Sequence, residues 1–336
     1  MTRPEFDYFF SRYGLNTHAH LIAYADVEYF QARHVEGLVG YFRVPGLMVA
    51  LGDPLCDPAH YPAVLDEFLA AAQRAQAVPC SILNSPALRT VAEARGMWAL
   101  KIGEQFIFDL ASYRPRGNAA KKVRSAANKA RRLGVTVREM HPTGEPDDPE
   151  SQAIRWVAER WIGGKRATAD LFLLGLHLFE SRQHKRYFGA FLDGVPQAVL
   201  ICSPIPCRQG ILFEDMVRLR DARVSPSELL VLSALEALRA EGLKMATFGC
   251  QPYVDTRNPP APFTARVALG AFMPLVNMAL PLARIYHYHH KYATSEKEDV
   301  YLLSPRHFPF FRIILGVFST CNFKLFHRDG LGPNAA

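Results

Sequence analysis

The sequence lacks any long, uninterrupted apolar run. Hydrophobic residues make up 49% of the 336 residues, yet no stretch reaches the roughly eighteen apolar residues that a membrane-spanning helix needs. The nearest candidates, 263–285 and 308–326, are both interrupted by prolines and basic residues. The sequence therefore predicts no transmembrane segment, and either stretch could instead lie on a bilayer surface or pack on the protein.

Cysteine and histidine patterns typical of disulfide frameworks or metal sites are also missing. The six cysteines stand at irregular spacings, and no basic leader precedes an apolar stretch, so we expect reduced thiols in a cytoplasmic protein. Cys202 and Cys207 have no second pair to complete a zinc site. The dense group His287, His289 and His290 is interpreted as the polar edge of a surface helix, with metal binding as the alternative. We predict no metal and no cofactor.

Acidic residues are scarce in one region of the chain. Lys and Arg outnumber Asp and Glu by 39 to 32, giving a net charge of +7, which favours an anionic partner. The excess is concentrated in 114–132, where no Asp or Glu occurs. A helix is predicted over 118–133, capped by Asn118 and ended by Gly134.

The predicted basic helix has two different surfaces. Small apolar residues recur at helical spacing and can pack closely on a core; they are Ala120, Val123, Ala127 and Ala130. Basic residues occupy the other faces and are predicted to bind phosphate; they are Lys121, Lys122, Arg124, Lys129, Arg131 and Arg132. A solvated basic face without a partner is the alternative.

Strand-like and helix-like segments alternate along the chain, which predicts the α/β (α+β) class with mixed sheets flanked by helices. Strands are predicted over 20–25, 38–44, 46–51, 78–83, 98–102, 105–110, 135–140, 186–192, 198–205, 211–219 and 243–249. Helices are predicted over 61–75, 86–95, 151–161, 169–180 and 226–241, the last with Ser225 as cap and Glu228 completing a capping box. The polar, proline-containing stretch 141–150 predicts domains 1–145 and 146–305, followed by a tail over 306–336.

A second charged feature lies in the apolar strand predicted over 211–219. Glu214, Asp215 and Arg218 stand there among apolar residues, and charges rarely enter a sheet without a partner or a function. Strict alternation puts Asp215 and Arg218 on opposite faces, so one shared site requires that the strand ends or bulges between them. An internal ion pair bracing the sheet is the alternative.

Several short motifs in this order resemble the phosphatidylglycerol lysyltransferase C-terminal domain family, the cytosolic catalytic part of the bacterial multiple peptide resistance factor. The motifs are Leu-Gly-Asp-Pro at 51–54, Lys-Ile-Gly-Glu at 101–104, Phe-Asp-Leu at 108–110, the basic stretch 117–134, Trp161, 214–218, Phe-Gly at 248–249 and Lys-Tyr at 291–292.

The resemblance implies a tandem pair of acetyltransferase-like (GNAT-like) domains. It also implies that aminoacyl-tRNA is the acyl donor and that a hydroxyl of a membrane lipid, typically phosphatidylglycerol, is the acceptor. The family's catalytic acid and arginine map onto Asp215 and Arg218. Arg218 is expected to hold a phosphate or the terminal adenosine, and Asp215 the α-amino group or the acceptor hydroxyl.

Further substrate contacts are predicted around these two residues. They are Glu214 beside the catalytic acid, Trp161 and Lys165 at a glycine-containing helix end that could hold an anion, and Lys291 with Tyr292, where the family has a lysine. We expect a cytoplasmic protein in peripheral contact with the inner face of the membrane. The amino acid, the lipid and the oligomeric state stay open.

Two other functions share this architecture. An acetyl-coenzyme A-dependent N-acyltransferase requires a glycine-rich pyrophosphate loop before a helix. The stretch 220–226 contains no glycine, which disfavours that function. A catalytically inactive lipid- or RNA-binding module is the third possibility.

Overall fold

A mixed sheet of eleven strands runs through the computed structural model, and helices flank it on both faces. The structure describes residues 3–24, 27–163, 168–171, 176–222, 224–252, 282–294, 296–306 and 321–324, with the single positions 267 and 312. The mixed α/β class with a mixed sheet flanked by helices, predicted from the sequence, is confirmed.

The elements of the first half, in chain order, are α1 (Arg3–Tyr13), a 3-10 helix (Ala19–Ala23), β1 (Glu28–Gln31), β2 (Leu38–Val44), β3 (Leu47–Leu51), α2 (Tyr61–Arg74), β4 (Val78–Asn84), α3 (Pro86–Glu93), β5 (Met97–Asp109), α4 (Lys121–Arg132) and β6 (Thr136–Met140). Those that follow are α5 (Pro149–Gly163), β7 (Thr168–Leu171), β8 (Arg186–Leu192), β9 (Val195–Ile205), β10 (Gly210–Arg218), α6 (Ser227–Ala240), β11 (Met245–Pro252), α7 (Leu282–His290), β12 (Glu296–Pro305) and β13 (Cys321–Lys324).

The sheet contains the same unit twice. In the first half β2 and β3 are antiparallel, α2 follows, and β4 returns parallel to β3. In the second half β9 and β10 are antiparallel, α6 follows, and β11 returns parallel to β10. This repetition agrees with the tandem organisation that the resemblance implies.

The two units exchange their final strands. In the sheet order β1-β2-β3-β4-β12-β5-β11-β10-β9-β8-β6, β12 from the end of the chain lies between β4 and β5. In turn β5 pairs with β11 of the second unit, and β6 pairs with β8 at the far edge. The boundary at residue 145 stays a prediction, since eleven of the described strands, from both halves of the chain, form one continuous sheet.

Two predicted elements are wrong, and the separate strands expected over 98–102 and 105–110 are one strand, β5. The strand expected over 20–25 is the 3-10 helix Ala19–Ala23, in which Leu21 and Ile22 are both buried although they are adjacent. The helix expected over 169–180 contains strand β7, which pairs with β13, about 150 residues later in the chain. In both cases burial or pairing with distant segments decides the conformation, and a local pattern cannot reveal it.

Helix ends differ in detail from the expected caps. Helix α4 begins at Lys121, and neither Ala120 nor the expected Asn118 caps it with a side chain. Helix α6 begins at Ser227 without a side-chain cap, because the Ser225 hydroxyl donates to the Glu228 carboxylate (3.0 Å) rather than accepting a backbone N–H. The predicted small-residue stripe of α4 is confirmed, since all four of its members are buried.

No helix among the described residues is long and apolar enough to cross a bilayer. The stretches 263–285 and 308–326, for which surface binding was an alternative, lie largely outside the described residues, as does the tail 306–336.

Candidate active site at a gap in the sheet

Strands β10 and β11 separate in the middle of the second unit. They pair only from Gly210 to Leu212 on β10, opposite Met245 to Thr247 on β11. Beyond that point each strand changes register with its other neighbour, β10 against β9 and β11 against β5. The result is a gap in the sheet, beside the charged residues that the sequence singled out.

The N-terminal segment packs at this gap. Gly249 on β11 has a φ of +71°, and a Cβ there would lie 2.9 Å from a Leu212 methyl and 3.2 Å from His18 Nε2. Glycine therefore permits both the left-handed backbone and the close approach of His18. The Cys250 N–H donates to His18 Nε2 (3.2 Å), which attaches the N-terminal segment to β11.

The bulge in β10 lies before Asp215, whereas a site shared by Asp215 and Arg218 requires a bulge between those two residues. The register against β9 shifts between Phe213 and Asp215, and from Asp215 to Arg218 the ladder is regular. Asp215 and Arg218 therefore lie on opposite faces of the strand, and the expected interruption between them is wrong. Packing explains the position, because the bulge keeps Met216 in the same hydrophobic core as Phe213.

The bulge residue, Glu214, is almost completely buried and has several polar partners. Its carboxylate accepts hydrogen bonds from the hydroxyls of Tyr24 and Ser203 (2.5 Å for Ser203) and from the ammonium of Lys185 (3.0 Å). His20 Nε2 lies 3.9 Å from the same carboxylate. We call these five residues the Glu214 cluster.

Electrostatics keep Glu214 charged inside this cluster. Burial acts to raise the pKa of the carboxyl, but His20, Lys185 and the two hydroxyl donors together hold that pKa well below its usual value. Burial lowers the pKa of His20 to about 4, so its imidazole is neutral near pH 7. Lys185 is therefore the main counter-charge of Glu214.

Further acidic groups border the cluster on the same face. Asp215 is half-buried. Burial and the charge of Glu214 raise the pKa of Tyr24, and the charge of Asp215 adds a smaller effect in the same direction. The His177 ring lies 4.2 Å from the Tyr24 ring, and His177 pairs with Glu180 (3.1 Å). Because several carboxylates share this region, it suits a cationic group such as an amine.

The opposite face of β10 carries a second group of charges. Lys291, just after α7, pairs with Glu228 of α6 (2.5 Å), and its ammonium lies 3.6 Å from the centre of the Tyr288 ring. Arg218 is exposed on this face. Tyr292 is completely buried, and its hydroxyl lies 3.0 Å from that of Tyr288, so it supports Lys291 from within the core.

The other predicted substrate contacts are dispersed. Trp161 is half-buried in the last turn of α5 and packs against the core that contains Val217, on the Asp215 side of the sheet. Lys165 lies outside the described residues. The histidines at the end of α7 do not all form a surface edge, because the His289 ring stacks on Phe248 at 4.0 Å. The described residues contain no cluster suited to a metal ion.

The basic helix α4 packs its small-residue stripe into the same core as α6 and Met216. Arg124 donates to the carbonyls of Pro115 and Gly117, both at 2.8 Å, and so holds the loop before the helix. The remaining bases are exposed, and none forms an ion pair within the part of the chain that the structure describes; they are Lys121, Lys122, Lys129, Arg131 and Arg132.

Four members of the Glu214 cluster were not anticipated from the sequence. His20 and Tyr24 stand in a segment that we interpreted as a strand, Lys185 stands just before β8, and Ser203 lies in β9. The available signal was a histidine and a tyrosine four residues apart in an apolar stretch. That spacing matches one helical turn, but nothing local indicates its partner.

Comparisons with known proteins agree on one family. Residues 9–304 match the profile of a family described as phosphatidylglycerol lysyltransferase, C-terminal. The chain is 36% identical over 116 residues to the lysylphosphatidylglycerol biosynthesis bifunctional protein LysX of Gordonia bronchialis, which covers 34% of this chain. It is 29% identical over 199 residues to the protein of the same name from Mycobacterium marinum, which covers 59% of this chain. The chain spans only 10% and 18% of the lengths of these two relatives.

Solved structures share the fold. L-PGS from Bacillus licheniformis superposes with a TM-score of 0.78 at 19% identity, covering 95% of both chains. The C-terminal domain of a putative lysylphosphatidylglycerol synthetase from Agrobacterium fabrum gives 0.77 at 17% identity, covering 95% of this chain and 98% of that one. At such identities the likeness establishes the architecture alone.

Proposed function

The chain belongs to the phosphatidylglycerol lysyltransferase C-terminal family, and on that basis we propose that it transfers an aminoacyl group from aminoacyl-tRNA to a hydroxyl of a membrane lipid. Phosphatidylglycerol is the first acceptor to test. The reaction takes place at the cytoplasmic face of the membrane, with the protein in peripheral contact.

The main support for this proposal is that α4, Arg218 and Lys291 lie on the same face of the sheet. Met216, on the same face as Arg218, lies in one core with the apolar stripe of α4 and with Tyr292. The exposed bases of α4 offer a surface for a polyanion, and Arg218 and Lys291 offer two cations nearer the gap. This arrangement suits a tRNA whose acceptor end reaches the sheet.

The aminoacyl group then occupies the gap between β10 and β11. Its amine is held on the other face by Asp215, near the carboxylates of Glu214 and Glu180. Arg218 holds a phosphate or the terminal adenosine on the tRNA side. In this arrangement the opposite orientations of Asp215 and Arg218 become an advantage, because the donor extends through the sheet from one side to the other.

The chemistry exchanges one ester for another. The lipid hydroxyl oxygen attacks the carbonyl carbon of the aminoacyl ester, the bond to the tRNA ribose oxygen breaks, and a proton is delivered to that oxygen. Since the two esters are similar in energy, the protein must mainly align the reactants and stabilise the developing oxyanion.

The test is transfer of a labelled amino acid in vitro. Purified protein is incubated with a panel of charged tRNAs and vesicles containing phosphatidylglycerol, and lipid-borne label is counted. We expect label in the lipid with at least one amino acid, and a loss of roughly 100-fold in kcat/KM for Asp215→Asn and for Arg218→Ala, since each removes a charge that holds the substrate.

Matched controls are available close by. Asp193 lies in the exposed turn between β8 and β9 with a φ of +51°, which Asn tolerates, and Arg220 is exposed two residues after Arg218. Asp193→Asn and Arg220→Ala should transfer at the wild-type rate. Absence of labelled lipid with every amino acid, or activity with acetyl-coenzyme A instead, would overturn the proposal.

A further inference from the structure

A small cavity lies beneath the N-terminal segment, on the face of the sheet that carries the Glu214 cluster. Its wall includes Phe10, His20, Tyr24, Ser181, Lys185 and Ser203. There is room for about one water-sized group. The cavity therefore suits a single hydroxyl rather than a whole substrate.

Two polar side chains at this cavity have unmet hydrogen-bonding capacity. Within the described structure neither ring nitrogen of His20 nor Ser181 Oγ reaches a hydrogen-bond partner, although these atoms are buried. His20 is only 6% exposed. Because buried polar atoms are almost always satisfied in folded proteins, these two call for a ligand group in the cavity that can both donate and accept.

Lys185 supplies a third polar contact. Its ammonium, 1% exposed, donates to Glu214 (3.0 Å) and to the carbonyl of His177 (2.5 Å). An ammonium has three N–H donors, so among the described residues one donor is left for a group in the cavity, whose wall Lys185 forms. A hydroxyl in this cavity can donate to the imidazole, which makes no hydrogen bond among the described residues, and can accept from the spare N–H, as general-base catalysis requires.

We propose that His20 accepts the proton of the attacking lipid hydroxyl, while Glu214 stabilises the imidazolium that forms and Lys185 donates to the hydroxyl oxygen and so holds it in place. This inference rests on the proposed transfer reaction. As the hydroxyl oxygen bonds to the ester carbon, its proton moves to His20 Nε2. When the bond to the tRNA ribose oxygen breaks, His20 returns the same proton to that oxygen, so no other reactant is consumed.

The charges around His20 are consistent with this role. Burial, then Lys185 and His177, lower the pKa of the imidazole, while the Glu214 carboxylate acts to raise it. The imidazole is therefore unprotonated at neutral pH and free to accept. Once protonated, it faces the Glu214 oxygen 3.9 Å away inside the protein, where opposite charges attract more strongly than in bulk water.

The experiment measures single-turnover transfer from aminoacyl-tRNA to phosphatidylglycerol vesicles by the full chain, across a series of pH values. His20→Gln keeps a hydrogen-bonding side chain but cannot take up a proton. We expect it to transfer at least roughly 100-fold more slowly, a typical contribution of a general base, while its binding of uncharged tRNA stays the same. Added imidazole should restore part of the rate in His20→Ala, which leaves room for it.

The controls separate a chemical role from a structural one. His60→Gln alters a histidine in the first half of the chain, before α2, and should transfer at the wild-type rate. If His20→Gln transfers within about threefold of wild type, or if imidazole fails to rescue a folded His20→Ala, His20 holds only a buried water, and the inference is overturned while the proposed function stands. If the wild-type chain transfers no amino acid, both are overturned.

Discussion

Glu214 is a carboxylate that is 9% exposed in the middle of a sheet, and its neighbours make that burial tolerable. Lys185 supplies the opposite charge, and the hydroxyls of Tyr24 and Ser203 occupy its remaining acceptor sites. Replacing one partner alone leaves an uncompensated charge, whereas replacing both removes the need for compensation. This asymmetry leads to a prediction at the scale of single residues.

We expect Lys185→Met to lower the free energy of unfolding by about 3 kcal/mol, the usual effect of removing one partner of a buried ion pair. Glu214→Gln combined with Lys185→Met should recover part of that loss, because no buried charge is left. The interaction between Glu214 and Lys185 is measured by urea denaturation of the wild type, the two single variants and the double variant. Additive effects would show that the pair does not act as a unit.

The sequence indicated that Asp215 and Arg218 matter, but it left open whether the two side chains lie on the same face of the strand. Their presence in an apolar strand was visible in the sequence and marked the site. Their orientation depends on the bulge at Glu214, which β9 and the two hydrophobic cores determine. Alternation alone gave the right relation between the two residues, and the assumption of a single pocket introduced the error.

Helix α4 has two different surfaces. Its small residues lie against α6, and most of its bases face solvent without an ion pair among the described residues. Small side chains permit the close contact, since a larger one has no space to occupy. Each surface gives its own prediction.

On the buried surface, Ala127→Leu should lower the free energy of unfolding by about 2 kcal/mol, because the extra methyl groups must push α4 away from α6. Ala127 is 2% exposed. Ser125→Leu, an exposed position on the same helix, serves as the control and should change stability little. Thermal unfolding followed by circular dichroism distinguishes the two variants, and equal stability of both would contradict this packing.

On the exposed surface, Lys122→Ala and Arg124→Ala should act differently. Lys122 is exposed, so its loss should weaken tRNA binding and reduce the salt dependence of binding by about one phosphate contact while leaving stability unchanged. Arg124 donates to two backbone carbonyls, so its loss should also lower the melting temperature. Filter binding at several salt concentrations and thermal unfolding measure both effects, and a Lys122→Ala variant with unchanged binding would contradict the assignment of this face to tRNA.

At the scale of the whole molecule, the exchange of β5 and β12 joins the two units. Strand β5 pairs on one side with β12 and on the other with β11, so both of its neighbours come from the second unit. A first half separated from the second would expose both edges of a thirteen-residue strand.

We therefore expect residues 1–145, expressed alone, to lack a cooperative unfolding transition, and the full chain to unfold in a single transition. Differential scanning calorimetry of the two proteins is the measurement. A first half that melts cooperatively by itself would establish that 1–145 is an independent domain, as the composition of 141–150 suggested.

Three histidines whose pKa values are lowered in the fold make the stability of the whole chain depend on pH. Burial lowers the pKa of His18 and of His289 to about 3, and that of His20 to about 4. Below about pH 6.5 the unfolded chain takes up protons that the folded chain does not, so stability falls as the pH falls. From pH 7 to pH 5 each histidine should cost roughly 2 kcal/mol.

Urea denaturation at pH 7, 6 and 5 tests this linkage. His289→Phe keeps an aromatic ring to stack on Phe248 but cannot titrate, so its loss of stability over that range should be smaller by roughly 2 kcal/mol. The same pH dependence in variant and wild type would mean that His289 is not buried as a neutral group.

The sequence by itself determined what depends on local composition and spacing. These features are the alternating α/β elements, the basic helix with its stripe of alanines, and the charges in an apolar strand. The tertiary structure decided what depends on distant partners, such as the bulge at Glu214, the exchange of β5 and β12, and strand β7. The Glu214 cluster is the clearest case, because Tyr24 and Glu214 are 190 residues apart. Hydrogen bonds across that separation form only after the chain has folded, so no pattern within a window of sequence contains them.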